Sequence, residues 1–129
     1  MSRKIINTDK APAAIGPYSQ GVVADNILYT SMQISLDPLT GNLIGNTANE
    51  QLKQCLENMN NIIIAAGSNL DDVVKTTVYL TDMNQSNDIN KIYSHYFSDN
   101  PPARQMIEVS ELPKGALIAI DAIAQINNS

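Results

Sequence analysis

The sequence predicts an α+β domain in which two helices cover one face of a β-sheet. Strand-type and helix-type segments follow one another in the order β-β-β-α-β-α-β-β, and each helical segment has a single apolar stripe. The last strand, over residues 116–126, is apolar on both faces and therefore needs cover on both. We expect a second copy of the chain to provide that cover, in a homo-oligomer whose sheets face inward.

The N-terminal part predicts three strands. A short strand opens at Ile5, and residues 11–17 form an irregular segment rich in proline and glycine. Two strand-type runs, residues 20–24 and 27–33, are separated by Asp25-Asn26, which tolerate the positive φ of a two-residue turn. We therefore expect a β-hairpin.

The first helix begins at Thr47, which forms a capping-box pattern with Glu50, and ends at Gly67. Its apolar stripe contains Leu52, Cys55, Leu56, Met59, Ile62, Ile63 and Ala66. Its predicted polar face contains Lys53, Gln54, Glu57, Asn58 and Asn61. The position of Cys55 on the apolar stripe favours a small core residue over a nucleophile.

Three strands and a second helix complete the chain. Residues 73–80 are β-branched and aromatic, with Val74 predicted on the same face as Val78 and Leu80. Residues 84–97 have one helical stripe and end before Pro101-Pro102. The stripe contains Ile89, Ile92, Tyr93, Tyr96 and Phe97. Strands follow over residues 104–109 and 116–126.

Length and composition favour one cytoplasmic domain over residues 1–129. The net charge is −5, with no basic run beyond Arg3-Lys4, which argues against a nucleic-acid partner. A lone cysteine without a secretion signal fits a reducing compartment. No segment approaches the roughly 18 apolar residues of a membrane span. His95 has no neighbours at metal-ligand spacing, so we predict no metal site.

Arg104, at the start of a predicted strand, is the residue most indicative of function. A guanidinium is planar and has five donors, which suits a carboxylate or phosphate ligand. The alternative is a surface arginine paired with an acidic side chain.

Six segments are spread along nearly the whole chain: residues 11–21 (APAAIGPYSQG), 65–67 (AAG), 74–78 (VKTTV), 102–104 (PAR), 112–115 (LPKG) and 121–124 (DAIA). Together they resemble the reactive intermediate deaminase family, also called RidA or YjgF/YER/UK proteins and formerly endoribonuclease L-PSP. The resemblance implies a chorismate-mutase-like mixed sheet, assembled as a homotrimer with a central sheet barrel and three clefts between subunits. It also implies hydrolysis of 2-imino or 2-enamino acids to 2-oxo acids and ammonia, without a cofactor.

The resemblance also implies roles for individual residues. Arg104 grips the substrate carboxylate and Tyr18 lines the cleft, as the two catalytic candidates. The implied substrate-binding residues are Ser31, Met32, Gln33, Asn90 and Met106. For Tyr18 the alternative is a ring that packs at the subunit boundary.

The chain departs from the family pattern at four positions. Met32 replaces a glycine, Gln105 a small residue, Met106 a cysteine, and Ala119 a glutamate that positions or activates water. Alanine can neither donate nor accept a proton. Glu108 and Asp121 are interpreted as structural or rim charges rather than substitutes.

Two functions from different classes follow. The first is hydrolysis of imino acids, in which orientation of the substrate supplies the acceleration. The second is a small-carboxylate-binding or regulatory trimer that has lost turnover. Met32 and Met106 would change the substrate scope if they line the cleft, and would matter little if they point into the core. Ribonuclease or translation-inhibitor activity, an older family description, is not favoured by the charge or by the single histidine.

Overall fold

The computed structural model describes residues 3–126 and has the predicted order of strands and helices. The ends of the predicted domain, residues 1–2 and 127–129, lie outside the described residues. The strands are β1 Lys4–Ile6, β2 Gly21–Ala24, β3 Ile27–Thr30, β4 Val73–Leu80, β5 Ala103–Glu108 and β6 Ile118–Gln125. The helices are α1 Ala48–Ala65 and α2 Ser86–Tyr96. Short 3-10 turns cover Leu70–Asp72, Met83–Gln85 and Pro113–Gly115.

The strands form one mixed sheet in the order β1-β2-β3-β6-β4-β5. Every neighbouring pair is antiparallel except β4 and β5, which are parallel and are connected through α2. Strand β6 lies between β3 and β4, so the strands on either side of α1 are not neighbours. The predicted mixed α+β fold is confirmed.

Local sequence signals set the hairpin and the ends of α1. Asp25 and Asn26 have φ values of 51° and 62°, as a two-residue hairpin turn requires. The Thr47 hydroxyl accepts a hydrogen bond from the Glu50 backbone N–H at 3.2 Å. At the other end Gly67 has a φ of 86°, and the Ser68 N–H reaches back to the Ile63 carbonyl at 3.0 Å.

The main core lies between α1, α2 and one face of the sheet. Fully buried side chains from both layers meet there, among them Leu28, Leu56, Ile63, Val78 and Ile120. Cys55 is fully buried in this core, and burial raises the pKa of its thiol. The thiol is therefore a packing group, as predicted.

Asn58 was predicted on the polar face of α1, and this prediction is wrong. Its side chain is fully buried, and its Nδ2 donates to the carbonyls of Ile34 at 3.3 Å and Leu36 at 2.9 Å. The Ile34 carbonyl also accepts from the Leu36 N–H at 2.9 Å, so the Asn58 amide adds a second bond there and pairs with the Leu36 carbonyl. These bonds tie residues 34–36 to α1, which is why a polar residue is buried here.

Two strand predictions also need correction. Val74 was predicted on the same face as Val78 and Leu80, which are fully buried, but it is 43% exposed, because a bulge between Val73 and Lys75 shifts the alternation of side chains. The second strand of the hairpin ends at Thr30, and Gln33 makes only an isolated bridge to Ile120.

The second sheet face is covered at one end by the chain itself. A second apolar cluster contains Ile34, Leu36, Leu112, Ala116 and Ala119. Elsewhere on the sheet Tyr29 is 48% exposed and Ile107 is 42% exposed. The homo-oligomer that we expect to cover this face stays a prediction. Neither helix within residues 3–126 is long and apolar enough to cross a membrane.

Candidate functional site

A cavity of about 340 Å³ lies between the irregular segment that precedes β2 and the segment that follows β3. Four predicted site residues line it: Tyr18, Ser31, Met32 and Gln33. Ligand pockets in proteins start at about this size and are mostly apolar. The structure therefore brings together the part of the predicted site that comes from the N-terminal half.

The buried side chain of Gln20 holds the wall of this cavity in place. Its Oε1 accepts from the Thr8 N–H at 2.7 Å, and its Nε2 donates to the carbonyls of Thr8 at 3.0 Å and Pro12 at 2.9 Å. An irregular segment makes no ladder hydrogen bonds, so an amide that pairs with its backbone replaces them. Sequence reasoning missed Gln20, and its only signal was a long polar side chain beside a proline-rich segment.

Ser31 and Tyr18 are fixed by the same segment. The Ser31 Oγ donates to the Ser19 carbonyl at 2.6 Å, which leaves its lone pairs as acceptors. The Tyr18 hydroxyl accepts from the Ile15 N–H at 3.4 Å, and its side chain is about half exposed. Both hydroxyls therefore already have a backbone partner at the cavity.

Arg104 lies elsewhere, on the edge strand β5. Its Nη1 donates to the Oδ1 of Asn90 at 2.7 Å, and its guanidinium carbon lies 4.8 Å from the centre of the Tyr93 ring. Burial raises the pKa of Tyr93, whereas its hydrogen bond to Thr76 and the charge of Arg104 act in the opposite direction. The neutral amide of Asn90 and the ring of Tyr93 therefore hold Arg104 in place. The alternative interpretation, a surface arginine paired with an acidic side chain, does not describe these contacts.

The cavity and the arginine are far apart within one chain. Gln33 pairs with Ile120 on β6, Ile120 with Val78 on β4, and Val78 with Met106 on β5, so two strands lie between Gln33 and Met106. Three strand spacings put Gln33 and Met106 about 14 Å apart. Arg104 is close to Asn90 but not to Tyr18, Ser31, Met32 or Gln33.

The two substituted methionines have different surroundings. Met32 lines the cavity and packs against the second apolar cluster. Met106 is half-buried and packs against the main core. The Met32 side chain therefore lines the cavity, whereas the Met106 side chain packs into the core.

Ala119 is fully buried beneath the second apolar cluster and pairs with Tyr79 across the sheet. The Tyr79 hydroxyl donates to the Oδ2 of Asp121 at 2.7 Å. Burial and the carboxylate raise the pKa of Tyr79 to about 12. The sequence analysis missed this pair, because it depends on the register between β4 and β6. Glu108 accepts from the Met83 N–H at 2.8 Å, in the structural role predicted for it.

Lys114 is the one charged side chain among the described residues that line the cavity. Its φ is 59°, and its Nζ donates to the Gly41 carbonyl at 3.3 Å. Sequence reasoning treated this segment only as a loop. Within residues 3–126, no group of three or more His, Cys, Asp or Glu side chains could hold a metal ion.

Comparison with known proteins identifies the family. The family model described as endoribonuclease L-PSP matches residues 8–126. The human 2-iminobutanoate/2-iminopropanoate deaminase is 50% identical over 122 residues, which cover 95% of this chain and 89% of the human protein. A solved structure of a Rid-family protein from Yersinia pestis has a TM-score of 0.93 at 44% identity and covers 97% of this chain and 100% of its own. That of E. coli TdcF with bound serine has a TM-score of 0.90 at 39% identity and covers 96% and 99%. The chain therefore belongs to the endoribonuclease L-PSP family, the Rid family that its sequence resembles.

Proposed function

We propose that this protein hydrolyses 2-imino acids, and their 2-enamino tautomers, to 2-oxo acids and ammonia. Relatives about 50% identical to it are named imine deaminases. The observation that carries the proposal is Arg104, whose exposed guanidinium is positioned by Asn90 and Tyr93 and forms no ion pair with a carboxylate of residues 3–126. Its charge therefore remains for the carboxylate of a substrate.

The reaction needs a bound water and a fixed substrate. The oxygen of water bonds to the iminium carbon while the π electrons of the carbon–nitrogen double bond move to the nitrogen, and one proton of that water passes to the nitrogen. The carbon–nitrogen bond then breaks as the carbonyl forms, and the remaining hydroxyl proton passes to the departing ammonia, which leaves the 2-oxo acid and ammonium. The iminium carbon is already electrophilic, so holding water and substrate together supplies much of the acceleration. Residue 119 is a buried alanine in this chain, so no proton acceptor is proposed there.

A complete site would take parts from two copies of the chain. Arg104 lies on β5, two residues before Met106, and Met106 is about 14 Å from Gln33 of the cavity across the sheet of one copy. A neighbouring copy whose β5 edge faces the cavity would bring the guanidinium to Tyr18 and Ser31. This arrangement agrees with the predicted homotrimer and its clefts between subunits.

The second candidate is a trimer that binds small carboxylates without turning them over. The specific observation in its favour is Ala119, a fully buried alanine at the position where the family resemblance implies a water-activating glutamate. Both candidates keep Arg104, so binding alone does not distinguish them. We do not propose ribonuclease activity, because the chain has a net charge of −5 and a single histidine.

Turnover is the deciding experiment. Imines of alanine and 2-aminobutanoate are generated in situ, and release of 2-oxo acid and ammonia is compared with the spontaneous rate. We expect wild-type activity, with a loss of roughly a hundredfold or more in kcat/KM for Arg104→Ala, because two charge-assisted hydrogen bonds disappear. Arg104→Lys keeps the positive charge but not the planar, two-pronged guanidinium, so it should retain only part of the wild-type kcat/KM. A folded wild-type protein with no rate above the spontaneous one would instead support the carboxylate-binding trimer.

A further inference from the structure

A hydrogen bond inside the core joins the sheet to helix α2 next to Arg104. Thr76 on β4 is fully buried, and its hydroxyl lies 2.7 Å from the hydroxyl of Tyr93 on α2. Thr76 is also the residue that pairs with Arg104 between the parallel strands β4 and β5, so the two side chains lie on the same face of the sheet. The bond between the hydroxyls therefore attaches the helix to the sheet at the level of Arg104.

Both contacts of Arg104 come from this helix. Asn90 and Tyr93 are three residues apart on α2, so they lie on one side of it, about one turn apart. The Asn90 amide oxygen accepts from the guanidinium at 2.7 Å, and the centre of the Tyr93 ring lies 4.8 Å from the guanidinium carbon. A rotation or slide of α2 on the sheet would therefore move both contacts together.

The other contacts of α2 are mostly apolar. Of the residues that the structure describes in this helix, Ile89 and Tyr93 are buried, and no side-chain hydrogen bond caps the first turn. The Phe97 ring packs against the Tyr93 ring with their centres 4.7 Å apart. Apolar contacts are non-directional, whereas a hydrogen bond weakens steeply when its angle changes. The bond from Thr76 to Tyr93 therefore gives the helix a defined position.

We propose, resting on the hydrolysis proposed above, that Thr76 is a positioning residue for Arg104 and acts through Tyr93. Its hydroxyl holds the Tyr93 ring, and through the helix the Asn90 amide, so that the guanidinium meets the substrate carboxylate in the plane that two parallel hydrogen bonds require. Loss of that hydroxyl weakens binding of the carboxylate and leaves the chemical step largely as it is.

The experiment separates positioning from stability by removing the two hydroxyls singly and together. Thr76→Val keeps the shape and leaves the Tyr93 hydroxyl without its partner, Tyr93→Phe does the reverse, and each should lower the urea midpoint. The double variant contains neither hydroxyl and should recover most of the stability. We expect KM for the imine of 2-aminobutanoate to rise by roughly threefold to tenfold in all three variants, with kcat little changed. Tyr96→Phe, on the same helix, is the matched control and should leave KM unchanged.

The double variant decides the role of the bond. If its KM returns to the wild-type value together with the stability, the bond is structural only and the proposal is overturned. Calorimetry with 2-oxobutanoate should show the same rise in Kd in the double variant, and this result supports the positioning even if no imine is turned over. Wild-type turnover with an unchanged Kd in the double variant leaves the hydrolysis standing and overturns the positioning.

A measurement without any ligand tests the position of Arg104 itself. The NMR signal of the Arg104 Nε–H, assigned by its absence in Arg104→Lys, is shifted upfield by the ring current of Tyr93. Thr76→Val keeps that ring but not its anchor, so we expect the upfield shift to decrease. An unchanged signal would show that Arg104 keeps its place without Thr76, and would overturn the proposal whatever the outcome for hydrolysis.

Discussion

Arg104 donates to the side-chain oxygen of Asn90 at 2.7 Å, across a gap between the edge strand β5 and helix α2. Both side chains are exposed, so this bond directs the guanidinium without neutralising it. A neutral amide suits a cation that has to meet a ligand carboxylate. The two residues are 14 positions apart in the sequence, and the connection from β4 through α2 to β5 brings them together.

Asn90→Asp should weaken substrate binding. The new carboxylate would form an exposed ion pair with Arg104, and such pairs are worth up to about 1 kcal/mol. A substrate carboxylate must displace it, so we expect KM to rise by about three- to fivefold at low salt with little change in kcat. Steady-state kinetics at two salt concentrations checks this, with Asn90→Ala as the uncharged control. An unchanged KM at low salt would argue against carboxylate binding by Arg104.

Two inactive variants should restore each other if the site is shared between copies. Arg104→Ala removes the cation, and Tyr18→Ala removes a residue of the cavity side. Co-expression with two different tags gives mixed assemblies in which some interfaces have both intact halves. We expect these assemblies to be active, whereas the double variant in one chain stays inactive. No recovery in verified mixed assemblies would place the whole site within one copy.

Gln20→Ala should destabilise the cavity wall. The side chain is 2% exposed and satisfies backbone groups of Thr8 and Pro12, which the variant leaves unpaired. Each buried unsatisfied group costs about 1–3 kcal/mol, and water replaces part of the loss at this surface, so we expect a decrease of about 2–3 kcal/mol in unfolding free energy. Urea titration measures it, with the exposed Gln105→Ala as the matched control. Hydrogen exchange should accelerate first at residues 8–12; uniform acceleration would contradict the local role of Gln20.

Ala119→Glu should lower the melting temperature rather than simply supply the glutamate implied by the family resemblance. Ala119 is fully buried among Ile34, Leu36, Leu112 and Ala116, and an ionised carboxylate there has lost its hydration. We expect a loss of several kcal/mol. Ala103→Glu, on the exposed start of β5, is the matched control and should change stability little. Equal melting temperatures for both variants would mean that the segments over Ala119 open readily.

Tyr79→Phe should remove part of the pH dependence of stability at alkaline pH. The folded state raises the pKa of Tyr79 from 10.0 to about 12, so the folded protein holds a proton that the unfolded chain releases. The contribution is complete below a pH of about 10 and is lost as the pH rises through about 12. We expect a shallower decrease of unfolding free energy across this window in Tyr79→Phe, measured by urea titration. Asp121→Asn should shift the window down in pH, because it removes the charged acceptor.

The parts of the fold that the sequence predicts are local. The Asp25-Asn26 turn and the cap at Thr47 depend on residues close in the chain, and both occur where predicted. Asn58 was misplaced because its burial depends on a distant segment that packs over α1. Val74 was misplaced because a bulge breaks the two-residue alternation.

For the site, the sequence predicts residue types but not their arrangement. Tyr18, Ser31, Met32 and Gln33 do share a cavity, since they flank one hairpin. Their separation from Arg104 follows from the insertion of β6 between β3 and β4, and no local pattern encodes that order of strands. The structural role of Gln20 was missed for a related reason, because its partners lie 8 to 12 residues away in an irregular segment.

The central position of β6 has a consequence for how the protein forms. Strands β3 and β4 are synthesised before residues 118–125, yet each of them has one edge that pairs with β6. Until that strand emerges from the ribosome, the apolar side of α1 and two unpaired strand edges are exposed to other nascent chains. Pairing of β3 with β6 spans roughly a hundred residues, which favours slow folding. The newly made chain therefore exposes the inner edges of β3 and β4 until β6 pairs with both.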